Sequence, residues 1–210
     1  MGTAQEVLRF WFGKRAEENR HTLWFGADPA VDDMIRIRFG DTVGAALRGD
    51  LDHWARSARG RLALIIVLDQ FTRHVHRGTK RAFAGDRAAQ RHAMKAIAQG
   101  EDHYLGPFER NFLYMPLMHA EDLELQRRGT AAFERLTMDA RPSLRTMMGQ
   151  QRDSARDHAA IVSRFGRFPD RNELLGRDTT DEERRFLEQA PREWFSTMRQ
   201  DARPQGSRDP

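Results

Sequence analysis

Residues 62–78 read LALIIVLDQFTRHVHRG, and the reading of this stretch decides the fold. Its first seven residues, Leu62–Leu68, are all apolar. A run that short fits a buried strand as well as a buried helix. The continuation settles the choice. Asp69-Gln70-Phe71-Thr72-Arg73 lacks the cluster of turn residues that closes a strand, and Leu64, Leu68 and Phe71 keep helical spacing. The stretch is therefore expected to form a helix buried on most sides, at the centre of the fold, ending before Gly78.

Working outward, helical spacing persists in both directions, and no run of alternating strand residues appears. Upstream, Val7, Leu8, Trp11 and Phe12 mark a first helix stopped by Gly13. Asp28-Pro29 opens a second, with Asp as N-cap and Pro at the first helical position. Its apolar face is Val31, Ile35, Phe39 and Val43, and Gly49 marks its end. A short piece around Leu51–Ser57 leads into Gly60.

Downstream, an alanine-rich helix is expected from Asp86 to Gln99, stopped by Gly100. Gly106-Pro107 opens another, which Pro116 is expected to kink or divide, leaving Leu117–Leu136 as a second limb. Arg141-Pro142 reads as a break, and helix is expected to resume near Gly149, bury Ile161, Val162 and Phe165, and stop at Gly166. Arg167–Asp178 reads as a polar loop. Thr180 with Glu183 forms a capping box for a helix holding Phe186 and Leu187. The pattern predicts an all-α chain of about 8–10 helices, with residues 1–198 as one domain and 199–210 as a mobile tail.

Composition narrows the function. Hydrophobic residues are 39 % and charged residues 31 % of the 210, a globular balance with a heavily solvated surface. There is no cysteine, which excludes a disulfide scaffold, a thiolate zinc site, a cysteine nucleophile and an iron–sulfur cluster. No apolar run approaches the roughly 20 residues that span a bilayer. The start, MGTAQEVLRFWFG, does not read as a secretory leader, and Glu6 stands where N-myristoylation after Gly2 needs Ser or Thr. A cytoplasmic protein is expected. The net charge is +4, yet the pI is about 10.1. Of the 35 basic side chains only Lys14, Lys80 and Lys95 are lysine, so 32 are arginine, which stays protonated far above neutrality.

Four stretches in order, VLRFWFG, LALIIVLDQFTRHVHRGTKRAFAGD, ERNFLYMPLMHAEDLELQ and HAAIVSRFGRFPDRNELLGR, resemble a bacterial family known as domain of unknown function 924. The resemblance runs from Val7 to Leu187. It implies an all-helical, tetratricopeptide-like fold, with antiparallel helix pairs in a curved right-handed stack, and it implies no activity. The tetratricopeptide tryptophan–glycine–tyrosine signature itself is absent, and no exact repeat is visible. Three positions depart from the family pattern: His74 stands where asparagine is usual, Ala120 where serine is usual, and Asp170 where histidine is usual. If that histidine is catalytic in relatives, this chain lacks the activity.

Three polar clusters are candidates for chemistry, each with a structural reading beside the functional one. Asp69, Gln70 and Arg73 follow the apolar run directly, and Asp69 and Arg73 have the i, i+4 spacing of an intrahelical ion pair. Such a pair anchors a neighbouring element, or else projects into a pocket where Arg73 grips an anion. His119 and Asp122 share a helix face, which suits an acid–base pair or capping beside Pro116. No paired Glu-x-x-His motif accompanies them, so neither a metal nor a cofactor is expected. His158 with Arg164, Arg167, Arg171, Asn172 and Arg177 suits either an oxyanion site or a structural clasp stacked on Phe165 and Phe168. Arg164, on the helix just before its stop at Gly166, is expected to belong to a clasp, and Arg167, in the loop proper, to a pocket.

Between Arg73 and Lys95 seven basic residues face one acid, Asp86. Aromatic side chains are scarce there, so a solvated helix face is expected ahead of a nucleic-acid surface. No G-x-S-x-G, phosphate-loop, dinucleotide-glycine or His-Glu-x-x-His motif is present. The residues therefore suit a binding module for a protein segment or a small anionic ligand. The alternative is an enzyme using His119 or His158 as acid or base, with arginines holding an anionic substrate. The enzyme requires the three clusters to converge.

Overall fold

The structure, a computed structural model, describes residues 1–13, 20–26 and 28–189. The boundary at 198 and the tail expected at 199–210 lie outside the described residues. The chain is all-helical, with no strand among the described residues. In order come α1 (Ala4–Phe12), α2 (His21–Phe25), α3 (Pro29–Leu47), α4 (Ala58–Ile65), α5 (Thr72–Val75), α6 (Asp86–Ala98), α7 (Pro107–Met118), α8 (Leu123–Asp139), α9 (Pro142–Phe165), α10 (Asn172–Leu175) and α11 (Asp181–Gln189).

The stretch that decided the reading is helical and central. α4 passes without a break into a π-helical segment, Ile66–Phe71, and on into α5. Each residue from Leu62 to Leu68 is at most 1 % exposed. α1, α6 and α7 pack on α4, while α3, α6 and α7 pack on the π segment. A helix covered on all sides carries no amphipathic stripe, which explains the unbroken apolar run. The wider π turn is bridged by the Thr72 hydroxyl, which donates to the Val67 carbonyl at 2.9 Å. π segments often mark functional sites, since the extra residue re-aims the side chains after it.

Around this axis, Phe10, Trp11, Phe12, Trp24, Phe39, Phe71, Phe108 and Phe112 form one aromatic core, with edge-on contacts such as Trp11 to Phe71 at 5.5 Å between ring centres. The expected caps are present. The Asp28 carboxylate accepts from the Ala30 amide at 2.8 Å. Thr180 and Glu183 exchange their hydrogen bonds at 2.8 and 3.2 Å. Gly166 closes α9 in the left-handed region at φ 70°.

Two boundaries differ from expectation. Pro116 does not divide its helix: α7 runs on to Met118, and the new limb begins only at Leu123. Proline removes one donor near the helix end, where the remaining turn tolerates the loss. The corner at 119–122 is made elsewhere, by the Asp122 carboxylate capping the Leu125 amide at 2.9 Å. The Gln126 amide there donates to the carbonyls of Met118 and Ala120 at 2.6 and 2.7 Å. Likewise Arg141-Pro142 opens α9 instead of breaking the chain before Gly149, because proline at the first helical position lacks only a donor that would be unpaired anyway. The short connections 119–122 and 140–141 turn α8 back along α7, and α9 back along α8.

Replacing Ile65 with Asp puts an unpaired charge on the axis, at a residue with no exposed surface. The expected cost is roughly 4 kcal/mol or more, and the variant should be recovered insoluble. A soluble variant with the wild-type melting temperature would contradict the central placement.

A candidate acid–base site

The π segment carries Asp69 and Gln70 out of the apolar run, both 1 % exposed or less. A carboxylate buried that deeply must be compensated. Arg73, one turn on, donates to the Asp69 carbonyl at 2.6 Å and to its carboxylate at 3.1 Å. It also grips Asp86 with both terminal nitrogens, at 2.8 and 3.1 Å. Gly85 permits this second pair: a Cβ on it would lie 2.1 Å from the Leu68 carbonyl oxygen, so only glycine lets the start of α6 close on the π segment.

His119 arrives from the end of α7. Its Nδ1 lies 2.9 and 3.1 Å from the two Asp69 oxygens, while Gln70 donates to one of them at 2.5 Å. Burial alone would raise the Asp69 pKa. The positive charges of His119 and Arg73, with the hydrogen bonds from His119 and Gln70, hold it well below the usual carboxylate range. Asp86 is shifted the other way. Burial raises it, and repulsion from Asp69 adds to that, against the attraction of Arg73 and Arg171.

Arg171 comes from the loop after α9. Its NH1 donates to the His119 carbonyl at 3.1 Å and stands 3.7 Å from Asp86. The guanidinium is held between the rings of Phe168 at 4.4 Å and Phe83 at 4.8 Å. Its Nε and NH2 make no hydrogen bond to the described residues.

His158, on α9, completes the group, with ring centres 6.3 Å from His119 and 5.5 Å from Phe168. Its Nδ1 is 2.7 Å from the Ser154 carbonyl. A carbonyl only accepts, so that nitrogen carries the hydrogen. Burial, then the charges of His119 and Arg171, push its pKa down to about 3. The ring is therefore neutral, and its Nε2 is an acceptor. Neither His119 nor His158 hydrogen-bonds through Nε2 to the described residues.

Of the residues singled out in the sequence, the structure thus gathers Asp69, Gln70, Arg73, His119, His158 and Arg171. It sets the others apart. Asp122 caps α8 and is exposed. Arg164 pairs on the surface with Glu182 at 2.9 Å. Arg167, expected in a pocket, instead grips the buried Glu183 at 2.7 and 2.9 Å and the Asp178 carbonyl at 2.8 Å. Asn172 is fully buried and accepts from Arg177 at 2.9 Å. Arg177 in turn holds Glu121 at 2.6 and 2.9 Å, and Glu121 accepts from the Phe168 amide at 2.8 Å. These residues form a clasp that fixes Phe168, and with it Arg171, against the α7–α8 corner.

Asp86, Phe83 and Ser154 were not foreseen as members of the site, and Glu121, expected to point away from His119 and Asp122, belongs to the clasp. Only Asp86 left a trace in the sequence, as the lone acid among seven basic residues. That basic stretch is split: Arg73 and Arg77 are paired inside the fold, while Lys80, Arg81, Arg87, Arg91 and Lys95 are exposed. Of the departures from the family pattern, His74 lies 2.7 Å from Asp32, outside the cluster. Asp170 is half-buried beside Arg171. A separate cleft of about 710 Å³ between α1 and the start of α4, lined by Leu8, Arg9, Phe12, Arg59 and Glu109 among others, shares none of the clustered residues. No group of three or more metal-ligating side chains occurs among the described residues.

Over residues 7–191 the sequence matches a family described as bacterial protein of unknown function, DUF924. The solved structure of ATU0120, a protein of unknown function from Agrobacterium tumefaciens, is 38 % identical with a TM-score of 0.75, the match covering 89 % of this chain and 97 % of that one. No curated protein matches.

Two measurements check this geometry. His158 is neutral when folded, with a pKa of about 3, against 6.5 for an ordinary imidazole. Within that window only the unfolded chain takes up its proton, so acidification below 6.5 costs stability, by up to about 1.4 kcal/mol per pH unit. In urea unfolding, His158→Gln should lose this component of the slope, and an unchanged slope would contradict the buried neutral ring. For the clasp, Arg167→Met strands the buried Glu183 and should lower the melting temperature clearly more than Arg164→Met, whose pair is solvated.

Proposed function

The chain belongs to the DUF924 family of bacterial proteins of unknown function, and within that family we propose that it is an enzyme performing acid–base chemistry on a small anionic substrate. The observation that carries this reading is the Asp69–His119 pair. A buried carboxylate fixes Nδ1 of the imidazole at 2.9 Å, sets its orientation, and leaves Nε2 without a partner among the described residues. This is the arrangement by which a carboxylate orients a catalytic histidine. Asp69 is a positioning residue, and His119 takes and returns the proton.

The arginines divide by their partners. Arg73 is consumed by Asp69 and Asp86. Arg171 keeps donors without a partner among the described residues, stacked and pre-oriented by two phenyl rings, and is the group that holds the substrate's anionic end. Arg73 and Arg171 face the carboxylates of Asp69 and Asp86, so these charges offset one another and a proton taken by His119 is matched by the negative charge of the substrate. No free sulfur, metal or cofactor is needed for this chemistry.

The reading is favoured over a binding module for a protein segment because residues far apart in sequence converge on one polar point. The tetratricopeptide-like arrangement implied by the resemblance is part of the same proposal. The antiparallel succession of α7, α8 and α9 supports it, and their joining corner supplies His119.

The test is a thermal-shift screen of small carboxylates and phosphate esters, followed by proton NMR of each hit for chemical conversion. At least one compound should both stabilise the protein and be converted. His119→Gln should lower conversion by roughly 100-fold or more, and Arg171→Met should abolish binding. Hits that bind without conversion would reduce the site to a binding site, and hits indifferent to Arg171 would remove the anion-holding role.

A further inference from the structure

The acceptor nitrogen of His158 has no part in the mechanism so far, and it constrains what can lie beside Arg171. Its Nδ1 hydrogen is committed to the Ser154 carbonyl at 2.7 Å, so Nε2 offers a lone pair and nothing else. The ring is 5 % exposed. Unlike His119 it has no carboxylate partner among the described residues, and the groups facing it are the ring of Phe168, Arg171 and His119. Phe168 places the two sides of the site together, with the Arg171 guanidinium over its face at 4.4 Å and His158 edge-on at 5.5 Å. Arg171 and His158 thus flank one ring, close enough for the charge of Arg171 to act on His158.

We propose that His158 is a specificity-determining residue, and that the substrate class is a small oxyanion bearing a hydroxyl group on the neighbouring carbon. Arg171 binds the anionic oxygens, and the hydroxyl donates to His158 Nε2. This inference rests on the acid–base reading of the site and adds a requirement to it. A buried acceptor left without a donor is penalised, so an analogue lacking the hydroxyl is rejected, where an apolar pocket would accept it.

The experiment compares lactate with propionate, a pair differing only in the hydroxyl, and adds inorganic phosphate, which lacks a neighbouring carbon. Binding to the wild-type protein is read by ¹⁵N NMR of the histidine side chains and by thermal shift. Lactate should bind at least about tenfold more tightly than propionate or phosphate and should shift the His158 Nε2 resonance. In His158→Leu, confirmed folded by circular dichroism, the lactate preference should vanish, whereas Arg171→Met should lose both carboxylates. Equal binding of lactate and propionate in the wild type would sink the hydroxyl requirement while leaving the acid–base reading intact, and that comparison needs no variant. A lactate preference that survives His158→Leu would likewise overturn the assignment to His158. If no carboxylate perturbs either histidine, the anionic-substrate reading falls together with this inference.

Discussion

The burial of the Asp69 carboxylate is the constraint on which the arrangement depends. It sits at the end of seven apolar residues, on a helix with no solvent face, and has no exposed surface of its own. Left alone, such a charge would be neutralised or would unfold its surroundings. Three side chains answer it: Arg73 on the same helix, Gln70 beside it, and His119 from the end of α7. Arg73 then needs Asp86, and Asp86 needs α6 pressed against the π segment, which Gly85 makes possible. Arg171 closes the ring by reaching Asp86 and the His119 carbonyl.

A buried ionic ring of this kind is a poor way to gain stability, since apolar residues of similar volume avoid the desolvation cost. What it supplies is geometry. Each member is held by two others from different elements, so the His119 ring cannot turn without breaking a charged contact. The aromatic core below gives that ring a rigid base: Phe71 follows Gln70 directly and packs on Trp11, Phe10 and Phe39. Buried atoms such as Gln70 Oε1 make no hydrogen bond among the described residues, the local concession expected where a site is shaped by chemistry and not by packing.

The loop after α9 has a different job. Its arginines, and Arg164 just before it on α9, look alike in the sequence, yet their partners separate them. Arg167 and Arg177 meet buried or half-buried glutamates, Arg164 meets an exposed one, and Arg171 is pinned between two rings. The glutamates decide this. Glu183 and Glu121 lie on different elements, and by holding the loop at both ends they fix Phe168, the surface shared by Arg171 and His158. Removing the clasp would loosen the site without touching a reacting atom.

The local parts of this account were legible in the residues. Helical spacing, the Asp28-Pro29 start, the Gly166 stop, the Thr180–Glu183 box and the i, i+4 pairing of Asp69 with Arg73 all follow from interactions within a few residues, and those act whatever the rest of the chain does. The place of Pro116 was misjudged because a helix end tolerates a missing donor, and where the end lies depends on Gln126 capping it from the next helix. The pairing of Asp69 with His119, 50 residues on, and of His119 with Arg171, 52 residues on, leaves no periodic mark. Nor does the choice among the four arginines at the end of α9 and in the loop after it, because an arginine's role is set by which carboxylate or ring reaches it. The sequence by itself determined an all-helical chain with a buried axis that ends in charge. Only the tertiary structure decided which distant groups compensate that charge, because compensation depends on distance in space and chain order does not encode it.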